Sequence, residues 1–301
     1  MMRAYRLLDV FTDRALTGNP LALVLDAADL AVADMQAIAA EFNLSETVFV
    51  LPGEAGVRAG LRIFTPSREL PFAGHPTVGA AVCLALLEQN PQAEEELRFV
   101  LEAPVGQIRC QARAEAPGRG YASVALPVQP IRDEAAVDPG LAGETLGVGP
   151  ADVGFERHAV GVWSAGVPFL LVPLKTRASV ARAAIEASLW PKLHAQAGTH
   201  GVFVYSRECL DPAHQFHAHM FAPGLGISED PATGAAVAAL AGQIVAADSP
   251  ADGRHRVIVE QGYEMSRPSL IALDLVVEGG RLREAFLGGH AVLVGEGRLH
   301  L

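Results

Sequence analysis

Glu46, His75 and Asp230 are the residues of this chain whose type and setting suit them to chemistry. Glu46 follows Asn43-Leu44-Ser45 and opens onto the apolar run Val48-Phe49-Val50. A carboxylate at the start of such a strand becomes a general base if desolvation raises its proton affinity. A matching run, Val202-Phe203-Val204, has His200 in the corresponding place. His75 precedes Pro76-Thr77-Val78-Gly79-Ala80-Ala81-Val82, and Asp230 precedes Pro231-Ala232-Thr233-Gly234-Ala235-Ala236-Val237. The two polar residues therefore stand at equivalent helix starts. Proline suits the first helical position, which leaves His75 and Asp230 near the N-caps. Helix N-termini gather unpaired N–H groups and the positive dipole end. Two of them facing one cleft would hold a small anion such as a carboxylate. Spacing alone leaves the plain alternatives open: a solvated charge at a strand end for Glu46, and simple capping for the other two.

The echo extends along the chain, which locates the elements that must carry these residues. Arg62-Ile63-Phe64-Thr65-Pro66 returns as His219-Met220-Phe221-Ala222-Pro223, and Gly18-Asn19-Pro20-Leu21-Ala22-Leu23-Val24 as Gly166-Val167-Pro168-Phe169-Leu170-Leu171-Val172. The pairs keep one order about half a chain length apart, so a single folding unit is duplicated. With 301 residues there is room for two domains. We place them at 1–117, carrying Glu46 and His75, and 118–301, carrying Asp230, with the last strand returning to the first domain. Short runs rich in Val, Leu and Ile predict strands at 7–10, 21–25, 47–51, 61–64, 97–101 and 105–112. In the second half they fall at 122–126, 159–163, 170–174, 202–205, 257–260, 270–277 and 291–294. Met35, Ile38, Ala39 and Phe42 form one face of a surface helix closed by Asn43, and another helix is expected near Val180 to Leu189. The helices after His75 and from Ala232 to Ala247 are apolar all round, so each must be enclosed. In a strand-rich unit the simplest enclosure is a curled sheet. The expected fold is therefore α+β, with two related domains that each wrap a β-barrel-like sheet round a central helix. Gly79 and Gly234 keep those helices thin.

The net charge of −11 argues against nucleic acid and against an anionic membrane surface. No apolar stretch approaches the ~18 residues that span a bilayer, and the first residues lack a signal core, so a cytoplasmic protein is expected. Cys83, Cys110 and Cys209 show no CxxC spacing and read as small buried hydrophobes. His214, His217 and His219 read as scattered surface histidines without a carboxylate at ligand spacing, so no metal is assigned. Gly288-Gly289 and Gly295-Glu296-Gly297 read as strand turns, not phosphate loops.

Several spaced motifs are similar to those of a known family. Phe11 with Gly18-Asn19-Pro20, Asn43-Leu44-Ser45-Glu46-Thr47, Phe64-Thr65-Pro66, Phe72-Ala73-Gly74-His75-Pro76-Thr77-Val78-Gly79, Glu229-Asp230-Pro231-Ala232-Thr233-Gly234, and Gln261-Gly262 followed by Arg267-Pro268-Ser269 resemble the phenazine-biosynthesis PhzF-like isomerases. That resemblance implies a diaminopimelate-epimerase-like fold with the active site between two domains, no cofactor, and proton movement between carbons of a small carboxylic acid. It also implies a homodimer. By the same resemblance Glu46 is the single acid/base, His75 and Asp230 are its polar companions, and Ser45, Gly74, Thr233, Gly234 and Ala235 line the substrate. Ala235 stands where the family usually has Ser, so one hydroxyl contact is missing, and Ser266 stands where Gly is usual. Related epimerases and proline racemases carry a Cys in each half; those neighbourhoods here hold Ala73 and Asp230-Pro231. A racemase or epimerase of an amino or hydroxy acid, and a non-catalytic binder of small molecules, are the alternative readings.

Overall fold

A computed structural model describes residues 2–88, 96–225 and 227–301. They form two compact units, residues 1–127 with 286–301, and residues 128–285.

The first unit contains β1 (Met2–Val10), β2 (Asn19–Val24), α1 (Val32–Phe42), β3 (Glu46–Pro52), β4 (Ala59–Phe64), β5 (Glu69–Leu70), α2 (Gly74–Glu88), β6 (Leu97–Ala103), β7 (Gly106–Ala116) and β8 (Arg119–Ala125). Along β7, Ile108, Cys110, Ala112 and Ala114 are buried while the residues between them face outward, the period of two that a one-sided sheet requires. The hydrogen-bonded order β1-β2-β3-β4-β6-β7-β8 is closed by the final strand, which pairs with β8 on one side and β1 on the other. This makes an eight-stranded barrel. The apolar helix α2 packs against β1, β2, β3, β7 and β8, with Gly74 to Ala85 buried. A Cβ at Gly79 would lie 2.4 Å from Leu21 and 2.8 Å from Val10, so glycine sets how closely the helix approaches the sheet. α1 buries Met35, Ile38 and Ala39 and ends at Asn43, whose φ of 50° makes it a left-handed C-cap.

The second unit contains β9 (Ile131–Arg132), α3 (Pro139–Thr145), β10 (Gly161–Ser164), β11 (Pro168–Pro173), α4 (Arg177–Arg182), α5 (Trp190–Ala197), β12 (Val202–Ser206), β13 (Phe216–Phe221), α6 (Gly234–Asp248), β14 (Gly253–Gln261) and β15 (Ser269–Glu278), and the chain ends in β16 (Arg281–His300). Its strands are ordered β9-β10-β11-β12-β13-β14-β15, and α6 packs against β9, β10, β11 and β15. The duplication is visible in topology. β2 runs parallel to β3, β3 antiparallel to β4, and β4 parallel to β6 after α2. β11, β12, β13 and β14 repeat that sequence of pairings around α6.

Three details differ from the sequence reading. The strand at 119–125 pairs with β7, so the first unit runs on past the expected limit at 117. The helix expected near 180–189 is not formed as one: α4 ends at Arg182, where Ala183 leaves helical geometry, and the next helix, α5, starts at Trp190 with Pro191 in its first turn. Gly288, Gly289, Gly295 and Gly297 are not turns but lie inside the 20-residue β16. At Gly288, Gly289 and Gly297 a Cβ would fall within 2.6 Å of the Tyr121 hydroxyl, the Phe11 ring and the Tyr5 hydroxyl respectively. In α6, Gly242 lies close to Trp163, where a Cβ would fall 2.4 Å from the indole ring.

Candidate active site

In the first unit Glu46 opens β3, and the parallel register sets it beside Leu21 of β2. His75 is the second residue of α2. Barrel and central helix together bring the His75 Nδ1 to 3.3 Å from a Glu46 carboxylate oxygen. The His75 side chain is 4% exposed and that of Glu46 16%. Burial pushes the His75 pKa down to about 3, against the opposing effect of the Pro20 carbonyl, so the ring is neutral at physiological pH. Its Nε2 is buried without a hydrogen-bond partner among the described residues. Gly74 is buried at the first position of α2, and Ser45 is half-buried before β3.

His75 therefore sits inside the first helical turn, not at its cap. Pro76 is third in the helix, which costs nothing because none of the first four N–H groups has an intrahelical acceptor. The second unit differs. α6 begins at Gly234 with Thr233 at its N-cap, so Asp230 and Pro231 lie before the helix.

Asp230 is 7% exposed, and its backbone N–H donates to the Met220 carbonyl of β13. The Thr233 hydroxyl donates to Asp230 Oδ2 at 2.5 Å. Gln261, fully buried at the end of β14, accepts from the Thr233 N–H at 2.9 Å and donates to the Asp230 carbonyl at 2.8 Å and to the Thr233 hydroxyl at 3.0 Å. Gly234 is buried and Ala235 half-buried in the first turn of α6. Sequence reasoning took Gln261 only as part of a motif; its role in holding Asp230 needed the parallel register of β13 with β14.

Two further polar clusters lie in the second unit. His217 and His219 are buried, contrary to the surface reading. The His217 Nδ1 and Nε2 lie 2.8 Å from Glu260 and Glu264, and His214 lies 2.8 Å from Glu260. The sequence reading failed here because β13 is flanked by β12 and β14, and the carboxylates that cover His217 come from more than 40 residues away, while Glu229 covers His219. Glu156, His158 and Asp248 bring ligand-type atoms within 4.8 Å of one another, but the Arg207 guanidinium bonds to all three and already supplies the cation. Cys83 and Cys110 are buried as expected, whereas Cys209 is half-buried; burial pushes all three thiols up to about 12, away from nucleophilic use.

Comparison with known proteins agrees with this architecture. The phenazine biosynthesis-like protein family (PhzC-PhzF) matches residues 8–297. An uncharacterized isomerase of Mesorhizobium japonicum is 45% identical over 99% of both chains. The trans-2,3-dihydro-3-hydroxyanthranilate isomerase of Pseudomonas fluorescens is 32% identical over the full length of both. The crystal structure of a Bacillus anthracis phenazine biosynthesis protein of the PhzF family superposes with a TM-score of 0.86 at 25% identity, covering both chains completely. The fold is diaminopimelate-epimerase-like, and with a family match across nearly all of its length and relatives that are named isomerases, the chain belongs to the phenazine biosynthesis-like family and is an isomerase.

Proposed function

We propose that this chain is a cofactor-independent isomerase that moves a proton between carbons of a small, unsaturated carboxylic acid, with Glu46 as the single acid/base. The observation that carries the reading is the Glu46 carboxylate, largely sheltered from water and 3.3 Å from a buried, neutral His75. In this mechanism Glu46 takes a proton from a carbon next to the π system. The electron pair of the broken C–H bond forms a new double bond to the neighbouring carbon, and the π pair of the original double bond moves out to its far carbon, the second carbon. Glu46 then returns the proton to the second carbon, so atoms and electrons balance without an external oxidant or reductant. The neutral imidazole keeps the Glu46 carboxylate in place without donating a full positive charge to it, which would lower its basicity. Asp230 serves as the second polar group, orienting or sharing a proton on the substrate. The amides of Gly234 and Ala235 in the first turn of α6, with Ser45 and Gly74, receive the substrate's carboxylate and ring substituents. The relatives named for trans-2,3-dihydro-3-hydroxyanthranilate support a cyclic, hydroxylated amino acid of that kind as the first compound to try.

The test is turnover of that acid in heavy water by wild type and Glu46→Gln. Wild type should place deuterium at the newly protonated carbon to the extent that the proton on Glu46 exchanges with solvent before delivery, and Glu46→Gln should slow both this exchange and turnover by at least ~100-fold while keeping a native melting transition. An unchanged exchange rate in the variant would sink the single-base reading.

A further inference from the structure

We propose that Gln261 and Thr233 are positioning residues that fix the Asp230 carboxylate, and that Thr233 acts on Asp230 and not as a donor to the substrate. This inference rests on the reading that Asp230 serves the reaction.

The hydrogen-bond directions follow from the chemistry of the groups. The Gln261 amide has one acceptor oxygen and two N–H donors. Turned the other way, its NH2 would face the Thr233 N–H and its oxygen would face the Asp230 carbonyl, two like-with-like contacts at under 3 Å. Only the observed orientation satisfies both. Because the Gln261 NH2 also donates to the Thr233 Oγ1, that hydroxyl has its single proton left for Asp230 Oδ2, at 2.5 Å. Both of the hydrogens that Thr233 has to offer, on its nitrogen and its hydroxyl, are therefore committed within the protein.

A second observation is steric. Gly262 has a φ of +78°, and a Cβ there would lie 2.5 Å from the Pro231 carbonyl oxygen and 2.4 Å from that of Arg267. The backbone after Gln261 thus presses on the residue next to Asp230, and only glycine permits it. A third observation is that the clamp belongs to one repeat only. In the first unit β4 and β6 pair Gly60 with Glu102, as β13 and β14 pair His217 with Glu260. Extending each register by one residue makes Ala103 the counterpart of Gln261, and alanine has nothing to donate. The clamp is present where the loop carries Asp230 and absent where the matching helix start carries His75.

The experiment uses the full chain labelled with 13C. The side-chain carboxyl resonance of Asp230, assigned by its loss in Asp230→Asn, is titrated in wild type, Thr233→Val, Thr233→Ser and Gln261→Glu. Thr233→Val keeps the side-chain shape and removes the hydroxyl. A hydrogen bond to the ionised form favours ionisation, so its titration midpoint should rise by about one pH unit, and Thr233→Ser should restore it. Gln261→Glu should raise it too, because the new carboxylate draws the Thr233 proton away from Asp230. Kinetics on trans-2,3-dihydro-3-hydroxyanthranilate add the second readout: Thr233→Val should lower kcat about tenfold or more with little change in KM. An unmoved midpoint in Thr233→Val, or a raised KM at unchanged kcat, would overturn the inference and return Thr233 to the substrate. Full turnover by Asp230→Asn would instead remove Asp230 from the reaction, leaving the titration to judge the clamp separately.

Discussion

The buried triplet Glu260–His217–Glu264 should make the second unit's stability depend on a single imidazole. His217 has a carboxylate oxygen 2.8 Å from each ring nitrogen, so both nitrogens donate and the ring is an imidazolium. Burial works against that charge, but the two carboxylates outweigh it and raise its pKa above the usual value. Burial would likewise raise Glu260, yet four donors led by His217, with the amides of Asp211 and Leu210 and the ring of His214, hold it down at about 2. The Glu260 side chain has no exposed surface. A depression from 4.5 to about 2 corresponds to about 3 kcal/mol of stability at neutral pH. Breaking one partner out of a buried ion pair costs about 3–5 kcal/mol by independent reckoning. His217→Phe keeps a ring of similar size and removes both donors, so it should cost about 3 kcal/mol near pH 6.

The loss should follow pH in a defined way. The Glu260 contribution is present above its unfolded value of about 4.5 and fades as pH falls toward 2. The His217 contribution is fully present below about 6.5 and is lost as pH rises through its raised folded value. The difference between wild type and variant should therefore be greatest between about pH 5 and 6.5 and shrink on both sides. Equilibrium urea unfolding followed by tryptophan emission reads it directly, since both tryptophans, Trp163 and Trp190, lie in the second unit. A penalty below about 1 kcal/mol, or one that is flat from pH 3 to 9, would refute the charged-triplet reasoning.

Gly242→Ala should destabilise the same unit by about 1–3 kcal/mol and shift the emission of Trp163, because the new Cβ would lie 2.4 Å from the indole ring; an unchanged spectrum would contradict this packing. With all three thiols pushed up to about 12, iodoacetamide at pH 7 should label the native chain slowly, Cys209 first as the least buried, and unfolding should release all three. Fast stoichiometric labelling of one native thiol would reopen a thiol-based racemase mechanism.

The duplication, the enclosed helices and the barrel-like wrapping were legible because they are written in local pattern: two all-apolar helices, short branched-residue strands, and motifs repeated in order. Glu46 and His75 were legible as candidates, one from its isolation beside an apolar strand and one from its place in the echo. The contact between them was not, because it depends on β2 and β3 running parallel and on where α2 enters the barrel. The glycines of β16 were misread for a related reason. Glycine pairs signal turns locally, whereas here the aromatic groups of Phe11, Tyr121 and Tyr5, distant in sequence, take the space of the missing side chains. The histidines of β13 failed in the same manner, since alternation on a strand tells which residues share a face but not whether loops cover it.

Comparison of the two repeats suggests what duplication preserved. Arg62 grips Glu69 with two hydrogen bonds of 2.7 and 2.6 Å and lies over the Phe64 ring. Its counterpart His219 bonds Glu229 at 3.0 Å and packs on Phe221. In both units a strand side chain, an aromatic two residues on, and a carboxylate shortly before the central helix tie the same connection, the segment that leads into His75 in one copy and carries Asp230 in the other. A bidentate arginine holds such a segment more rigidly than one imidazole contact. The unit with the weaker tether is also the one in which Gln261 adds three hydrogen bonds to the Asp230–Thr233 turn. On this view the scaffold's requirement, a fixed entry into the buried helix, is met in both copies by different residues. Gln261 takes over in the second what arginine does in the first. Reinstating the tether tests this: His219→Arg should form the bidentate pair with Glu229 and recover at least half of the stability lost in Gln261→Ala, and a double variant no more stable than Gln261→Ala alone would show that the two devices do not share a load.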